Sequence, residues 1–278
     1  MSEARIRGQV TREHPRDAVC LLRLSNPRRR NALDHDLLAA LATELRDLAA
    51  DGETRCVILA GDPPVFSSGY DLASIRESSF ERDAAALVAH PFQPAMEEVS
   101  RSPLPIIAAI NGHCLGGGLE LAVRCDLRLC ARGAELGMPP ARLGLIYGHT
   151  GVRKFLDLIG VAWTKELFLV GSNLDAGTAE RIGLVNRVVD DAEVEAEALA
   201  LAGTIVANAP LAVAGNKSVI DLLIENPRLD ECQEAELVAL RRSCFAGEFR
   251  EGMRAFAEKT RPDWRADRSD RRAVDLPL

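Results

Sequence analysis

Short apolar runs alternate with helical patterns from about residue 19 to residue 190, and then the strand signals stop. Nothing else in these 278 residues limits the fold as tightly. Residues 19–24 and 56–61 read as buried strands, closed by polar or glycine signals. Between them Leu37, Leu38, Leu41, Leu45 and Leu48 recur at helical spacing, with Asp34 placed to cap the start and Gly52 to stop the end. Residues 105–110 make a third strand and 125–130 a fourth, with a short helix over 118–124 between them. A late strand over 184–189 follows a helical stretch at 175–181. Alternation of this kind argues for an α/β core. Past residue 190, segments 193–208, 211–225, 229–246 and 248–259 all read as helices, punctuated by Pro210 and Pro227. The expected division is a core over residues 1–207 and a helical C-terminal region over 208–278. From about residue 261 the chain is dense in charge and poor in periodicity, and is expected to be a mobile tail.

Charge and cysteine usage narrow the partners. A net charge of −7 gives no general attraction to nucleic acid or to anionic lipid, so neither is an expected partner, and the chain lacks the basic stripe of an RNA binder. The first residues hold no apolar core of signal-peptide length, and the longest apolar runs fall far short of a membrane span. Seven cysteines, none in a Cys-x-x-Cys pattern, read as small buried residues of a reducing cytoplasm. Five histidines show no metal-ligand spacing, so no metal is expected.

Two segments carry chemistry. Phe66-Ser67-Ser68-Gly69-Tyr70-Asp71-Leu72 follows a strand, and its small residues permit a tight turn with backbone N–H groups pointing into a cleft. A connecting turn would read the same way. In Asn111-Gly112-His113-Cys114-Leu115-Gly116-Gly117-Gly118-Leu119-Glu120-Leu121 a strand runs into three glycines and a helix starts at once. Three glycines weaken a fold entropically, so a purely connecting turn rarely needs them. They allow backbone to approach a ligand at a helix N-terminus, where the macrodipole favours developing negative charge. Glu120, in the first turn of that helix, either compensates the dipole or places a carboxylate at the mouth of the site.

In order along the chain these segments resemble the crotonase superfamily, also called the enoyl-CoA hydratase/isomerase family, over roughly residues 15–264. The other matching stretches are Asn26-Pro27-Arg28-Arg29-Arg30-Asn31-Ala32-Leu33, Cys125-Asp126-Leu127, Gly183-Leu184-Val185-Asn186-Arg187-Val188-Val189, and Glu251-Gly252-Met253-Arg254-Ala255-Phe256-Ala257-Glu258-Lys259. The resemblance implies an α/β spiral of strand–strand–helix turns with a helical C-terminal trimerisation region. It also implies a homotrimer, or a hexamer of two trimers, acting on an acyl-CoA. Coenzyme A would enter as part of the thioester substrate, with no separate cofactor. Carried over by residue, the backbone N–H groups of Tyr70 and Gly117 form an oxyanion hole for a thioester enolate, one such donor being worth ~3–4 kcal/mol in well-studied cases. Arg28, Arg30 and Ala32 fall in the CoA-binding loop, where backbone meets adenine and one arginine meets phosphate. Ser68 and Asp71, in the Tyr70 turn, are counted with them. Phe256 and Lys259 match positions that complete a neighbouring subunit's CoA site.

The pattern departs at one position. Hydratases of this family use two glutamates around one water, one as base and one as acid. Glu120 matches the first, but Pro140 stands where the second belongs. Proline with Tyr147 downstream resembles the methylmalonyl-CoA decarboxylase branch, although Pro139 replaces a threonine of that branch and Tyr70 its histidine. Loss of CO2 generates the enolate without a strong base, so an oxyanion hole and an apolar wall could suffice. Tyr147 would then orient the carboxylate or deliver the proton, with His149 a second candidate donor. The specific expectation is therefore a CoA-thioester lyase that decarboxylates a substituted malonyl-CoA. The alternatives are hydration, dehydration or isomerisation of an enoyl-CoA through Glu120, and a non-catalytic CoA binder. Acyl-pocket walls would come from residues 73–101, where Phe80, Leu87 and Phe92 are not distinguished, and Arg142 either binds an acidic group or faces solvent.

Overall fold

The structure, a computed structural model, describes residues 8–72, 77–83, 92–226, 228–245 and 247–264. Its strands are β1 (Gln9–Arg16), β2 (Val19–Ser25), β3 (Cys56–Gly61), β4 (Val65–Ser67), β5 (Ile106–Ile110), β6 (His113–Leu115), β7 (Leu127–Ala131), β8 (Glu135–Gly137), β9 (Leu174–Asp175) and β10 (Arg187–Val189). The continuous apolar runs become strands buried on both faces, as a parallel sheet requires. β2, β3, β5, β7 and β10 lie parallel in that order, with β1 antiparallel on the β2 edge. A second, smaller sheet has the order β4-β6-β8-β9, and β4, β6 and β8 run parallel in it. Three times, then, the chain passes from the large sheet to the small one: β3 to β4, β5 to β6, β7 to β8.

Helices cover the large sheet. In His35–Ala50 the leucines expected from spacing are all buried, and Asp34 accepts the Leu37 N–H at 2.9 Å. Such a cap is worth ~1 kcal/mol. The helix stops before Gly52, which takes φ 69°. Phe92–Arg101 packs against it, and Val194–Val206 lies across β2, β3, β5 and β7. The last three helices, Pro210–Glu225, Glu231–Ser243 and Glu248–Glu258, bury only Gly215, Leu240 and Ala255 respectively.

Several expectations are corrected. The late strand is shorter: the N–H groups of Leu184 and Val185 both donate to Ala179 O and finish the helix Ala176–Arg181 instead, and pairing with β7 starts at Arg187. β1 left no signal because its polar residues are exposed on both faces. The helix His149–Lys165, with a π-helical turn at Glu166–Val170, also went unread. Cys20, Cys56, Cys114, Cys125 and Cys130 are buried, whereas Cys232 is exposed and Cys244 half-buried, both in the thinly covered C-terminal helices. At the start of the expected tail, Trp264 Nε1 donates to Ala207 O at 2.8 Å and Asp263 N to Glu251 at 2.7 Å. Met1 to Arg7, Pro227 and everything past Trp264 lie outside the described residues.

Candidate active site

Strand pairing brings the two glycine segments together. β4 and β6 are parallel neighbours, with Ser67 opposite Cys114, so the chain leaves both strands side by side. Gly69 (φ 90°) and Gly116 (φ 52°) adopt left-handed backbone. A Cβ on Gly69 would lie 2.7 Å from Leu115 O and 3.1 Å from Gly117 N, so only glycine admits this approach. Ser67 Oγ ties the turn down, donating to Asn31 O at 2.7 Å and accepting the Gly69 N–H at 3.1 Å. On the far side, Leu33 N donates to Gly69 O and Asp71 N to Leu33 O. Successive N–H groups of an extended chain point in opposite directions, so that of Tyr70 points away from Leu33. Gly117 opens the helix Gly117–Arg124, where the first N–H groups have no partner within the helix. Among the described residues no hydrogen bond takes up either N–H.

One turn further along that helix stands Glu120, on the same face as Gly117 and only 2% exposed. Arg124 Nη2 donates to its Oε1 at 2.9 Å, and the Tyr147 hydroxyl donates to its Oε2 at 2.5 Å. The Tyr147 ring rests edge-on against Phe168, centroids 5.6 Å apart, and Phe168 against Phe155. Space for the pair comes from Gly151, where a Cβ would sit 2.7 Å from both Glu120 Oε2 and Tyr147 Cε1. Burial first, and then the charge of Glu120, push the Tyr147 hydroxyl far above the ordinary tyrosine value, and the same two causes raise Tyr70. Both phenols are therefore neutral donors at working pH. Pro140 is buried in the 3-10 turn Pro140–Leu143 and has no proton to move. His149 is exposed at the start of its helix, and no hydrogen bond links it to Glu120 or Tyr147.

The expected CoA-binding residues divide. Ala32 is buried, while Arg28 and Arg30 are exposed, with Arg30 in left-handed backbone at φ 52°. The arginine engaged with protein is Arg29, paired with Asp71 at 2.5 Å. Ser68 N donates to Arg30 O, and Ser68 Oγ to Arg29 O. The side chains of Ser68 and Asp71, read from sequence as ligand contacts, thus fasten the 28–33 loop to the Tyr70 turn. Phe256 is 82% exposed and Lys259 caps its helix at φ 55°. No hydrogen bond or ion pair among the described residues joins either of them to the turns. Of the pocket-wall candidates, Phe92 is buried 4.6 Å from the Tyr70 ring, Phe80 is exposed, and Leu87 lies outside the described residues. Arg142 is exposed, its stem against Gly171.

Arg124, Ser67 and Gly151 were missed. Arg124 was legible as the basic partner four residues after Glu120 on one helix. The other two depend on strand pairing and helix approach, which leave no local mark.

The solved structure of an enoyl-CoA hydratase from Bacillus anthracis superposes with a TM-score of 0.80 at 32% identity, covering 92% of this chain and 98% of that one. The architecture is that of the crotonase-fold enzymes, with strand–helix units and C-terminal helices. The family described as Enoyl-CoA hydratase/isomerase matches residues 14–267. A short-chain-enoyl-CoA hydratase of Clostridium acetobutylicum is 32% identical over 230 residues, 78% of this chain and 87% of its own. The human mitochondrial protein called enoyl-CoA hydratase domain-containing protein 2 is 34% identical over 258 residues, 89% and 86%. The chain belongs to the enoyl-CoA hydratase/isomerase family of acyl-CoA enzymes.

Proposed function

We propose that the protein adds water reversibly to an enoyl-CoA, with Glu120 as its one carboxylate and Tyr147 in the role of the missing second. The observation that carries this reading is the hydrogen bond from half-buried Tyr147 to buried Glu120 beside the two glycine turns. Glu120 takes a proton from water as its oxygen attacks the β-carbon, and the electron pair moves to the thioester oxygen. The N–H groups of Tyr70 and Gly117 stabilise that enolate. Tyr147 then gives its proton to the α-carbon, a stronger base than the phenolate, and recovers one from Glu120 along their shared hydrogen bond. Water has been added and every catalytic group restored. The relatives named as enoyl-CoA hydratases support the same reading.

Decarboxylation of a substituted malonyl-CoA is the second reading, favoured by Pro140 with Tyr147. In it the substrate carboxylate leaves as CO2, its electrons pass to the thioester oxygen, Tyr147 protonates the carbon, and one proton taken up from solvent restores the phenol. It ranks second because a substrate carboxylate placed beside Glu120 would meet a like charge, and the cation at Glu120, Arg124, is already engaged. We further propose a homo-oligomer built through the C-terminal helices, where Ile220, Leu223, Phe249 and Met253 are exposed.

The test is mass spectrometry of crotonyl-, malonyl-, methylmalonyl- and ethylmalonyl-CoA incubated with the protein. Gain of one water by crotonyl-CoA alone supports hydration. Loss of CO2 from a malonyl compound moves the assignment to the second reading, and binding of all four without turnover reduces the protein to a CoA binder.

A further inference from the structure

Tyr70 enters the site twice. Its N–H belongs to the turn, but its side chain has a place of its own. The ring packs on Phe92 with centroids 4.6 Å apart, and a Cβ at Gly117 would come within 3.2 Å of its Cδ2. The phenol therefore lies over the first residue of the helix that carries Glu120. Its hydroxyl is buried and has no hydrogen-bond partner among the described residues. A buried hydroxyl left unpaired costs stability, and phenylalanine would fill the same ring space without that cost.

The chain has two tyrosines, and both stand around one carboxylate. Tyr147 is engaged with Glu120. Tyr70 feels the charge of Glu120 and in turn acts on Tyr147, so the three groups lie within electrostatic reach of one another. Glu120 accepts hydrogen bonds and Tyr70 offers one. An oxygen that both donates and accepts, as water or an alcohol does, satisfies both. The thioester oxygen is already served by the two backbone N–H groups. An oxygen on the acyl chain remains.

We propose that the Tyr70 phenol donates directly to the oxygen carried at the β-carbon of the acyl chain: the attacking water before hydration, the 3-hydroxyl after it. The site then selects acyl chains with a hydroxyl at that carbon over saturated chains of the same length. This rests on the proposed function for which oxygen is bound, and on the unpaired buried hydroxyl for the donor itself.

Tyr70→Phe keeps the ring and the backbone N–H and removes only the hydroxyl. The experiment measures Kd of 3-hydroxybutyryl-CoA and of butyryl-CoA, which lacks an acyl-chain hydroxyl, together with Tm, in wild type and variant. Removing one hydrogen bond at the acyl chain is expected to weaken 3-hydroxybutyryl-CoA about tenfold and butyryl-CoA less than about twofold. Tm should hold or rise, since an unpaired hydroxyl has left the interior. Equal losses for both ligands with a lower Tm would show a packing role and overturn the proposal, as would no change in either affinity. Parallel assay on crotonyl-CoA separates the two readings. A selective affinity loss in a protein that never hydrates crotonyl-CoA keeps the donor and removes the hydratase reading. Normal hydration with an unchanged affinity ratio does the reverse.

Discussion

Tyr147 and Glu120 stand 27 residues apart in sequence and meet through a 2.5 Å hydrogen bond, while Arg124 holds the other carboxylate oxygen at 2.9 Å. The carboxylate is thus clamped between a cation and a neutral phenol in a nearly dry setting. Such a clamp fixes the orientation of the carboxylate and leaves one hydrogen bond between it and the Tyr147 proton.

Glu120→Gln removes the base and keeps the shape. With positioned acid–base groups contributing ~10²–10⁴ in rate, kcat on crotonyl-CoA should fall by about that factor with KM nearly unchanged. Tyr147→Phe should lose about as much, because the proposed mechanism puts both residues in one proton circuit. Steady-state kinetics decides. A Tyr147→Phe enzyme with close to wild-type kcat would remove Tyr147 from the mechanism.

The two tyrosines are the only ones in the chain, so tyrosinate absorbance reports on this site alone. Burial and Glu120 raise both above the ordinary value near 10. A phenol whose folded pKa is raised adds stability in full below pH ~10, and that stability is lost as pH climbs toward the folded value. A spectroscopic titration should therefore show no step near pH 10 in the native protein and a late rise that coincides with alkaline unfolding. A reversible step near 10 with the fold intact would contradict the buried placement.

Arg124→Met leaves Glu120 buried without its cation. Breaking a buried pair on one side costs roughly 3–5 kcal/mol, read as a lowered midpoint in urea at pH 7. Adding Glu120→Gln to the same chain should recover part of that loss, because the orphaned charge is gone. Strict additivity of the two changes would mean that the pair is not coupled.

Gly151→Ala puts a methyl group where Glu120 Oε2 and Tyr147 Cε1 lie 2.7 Å away. Alanine in a helix interior is otherwise favoured over glycine by ~1 kcal/mol. The expected variant stays folded, with kcat reduced at least about tenfold as the pair is pushed apart. Unchanged kcat together with a raised Tm would show that the helix shifts freely and that the pair tolerates it.

Much of this was legible beforehand. The leucine spacing of His35–Ala50 with its Asp34 cap is written locally, as are the apolar runs of β2, β3, β5 and β7 and the breaks at Pro210 and Gly52. So were the turns of the glycine segments, because residues without a Cβ admit the left-handed backbone seen at Gly69 and Gly116. Glu120 and Tyr147 could be named one by one as candidates. That one holds the other could not, and His149, as eligible by type, turns out exposed at the start of its helix.

What the sequence by itself determined is what depends on neighbours along the chain: strands from unbroken apolar runs, helices from their period and caps, and turns from residues without a Cβ. The tertiary structure alone decided what meets across distance. The small sheet is built of strands of two or three residues, too short for any period to show, yet the β4–β6 pairing sets Gly69 against Gly117. The helix starting at His149 decides that Tyr147 reaches Glu120 across Gly151, and Arg29 rather than its neighbours finds Asp71. Register and packing between segments depend on the whole core at once, and a linear pattern carries no measure of them.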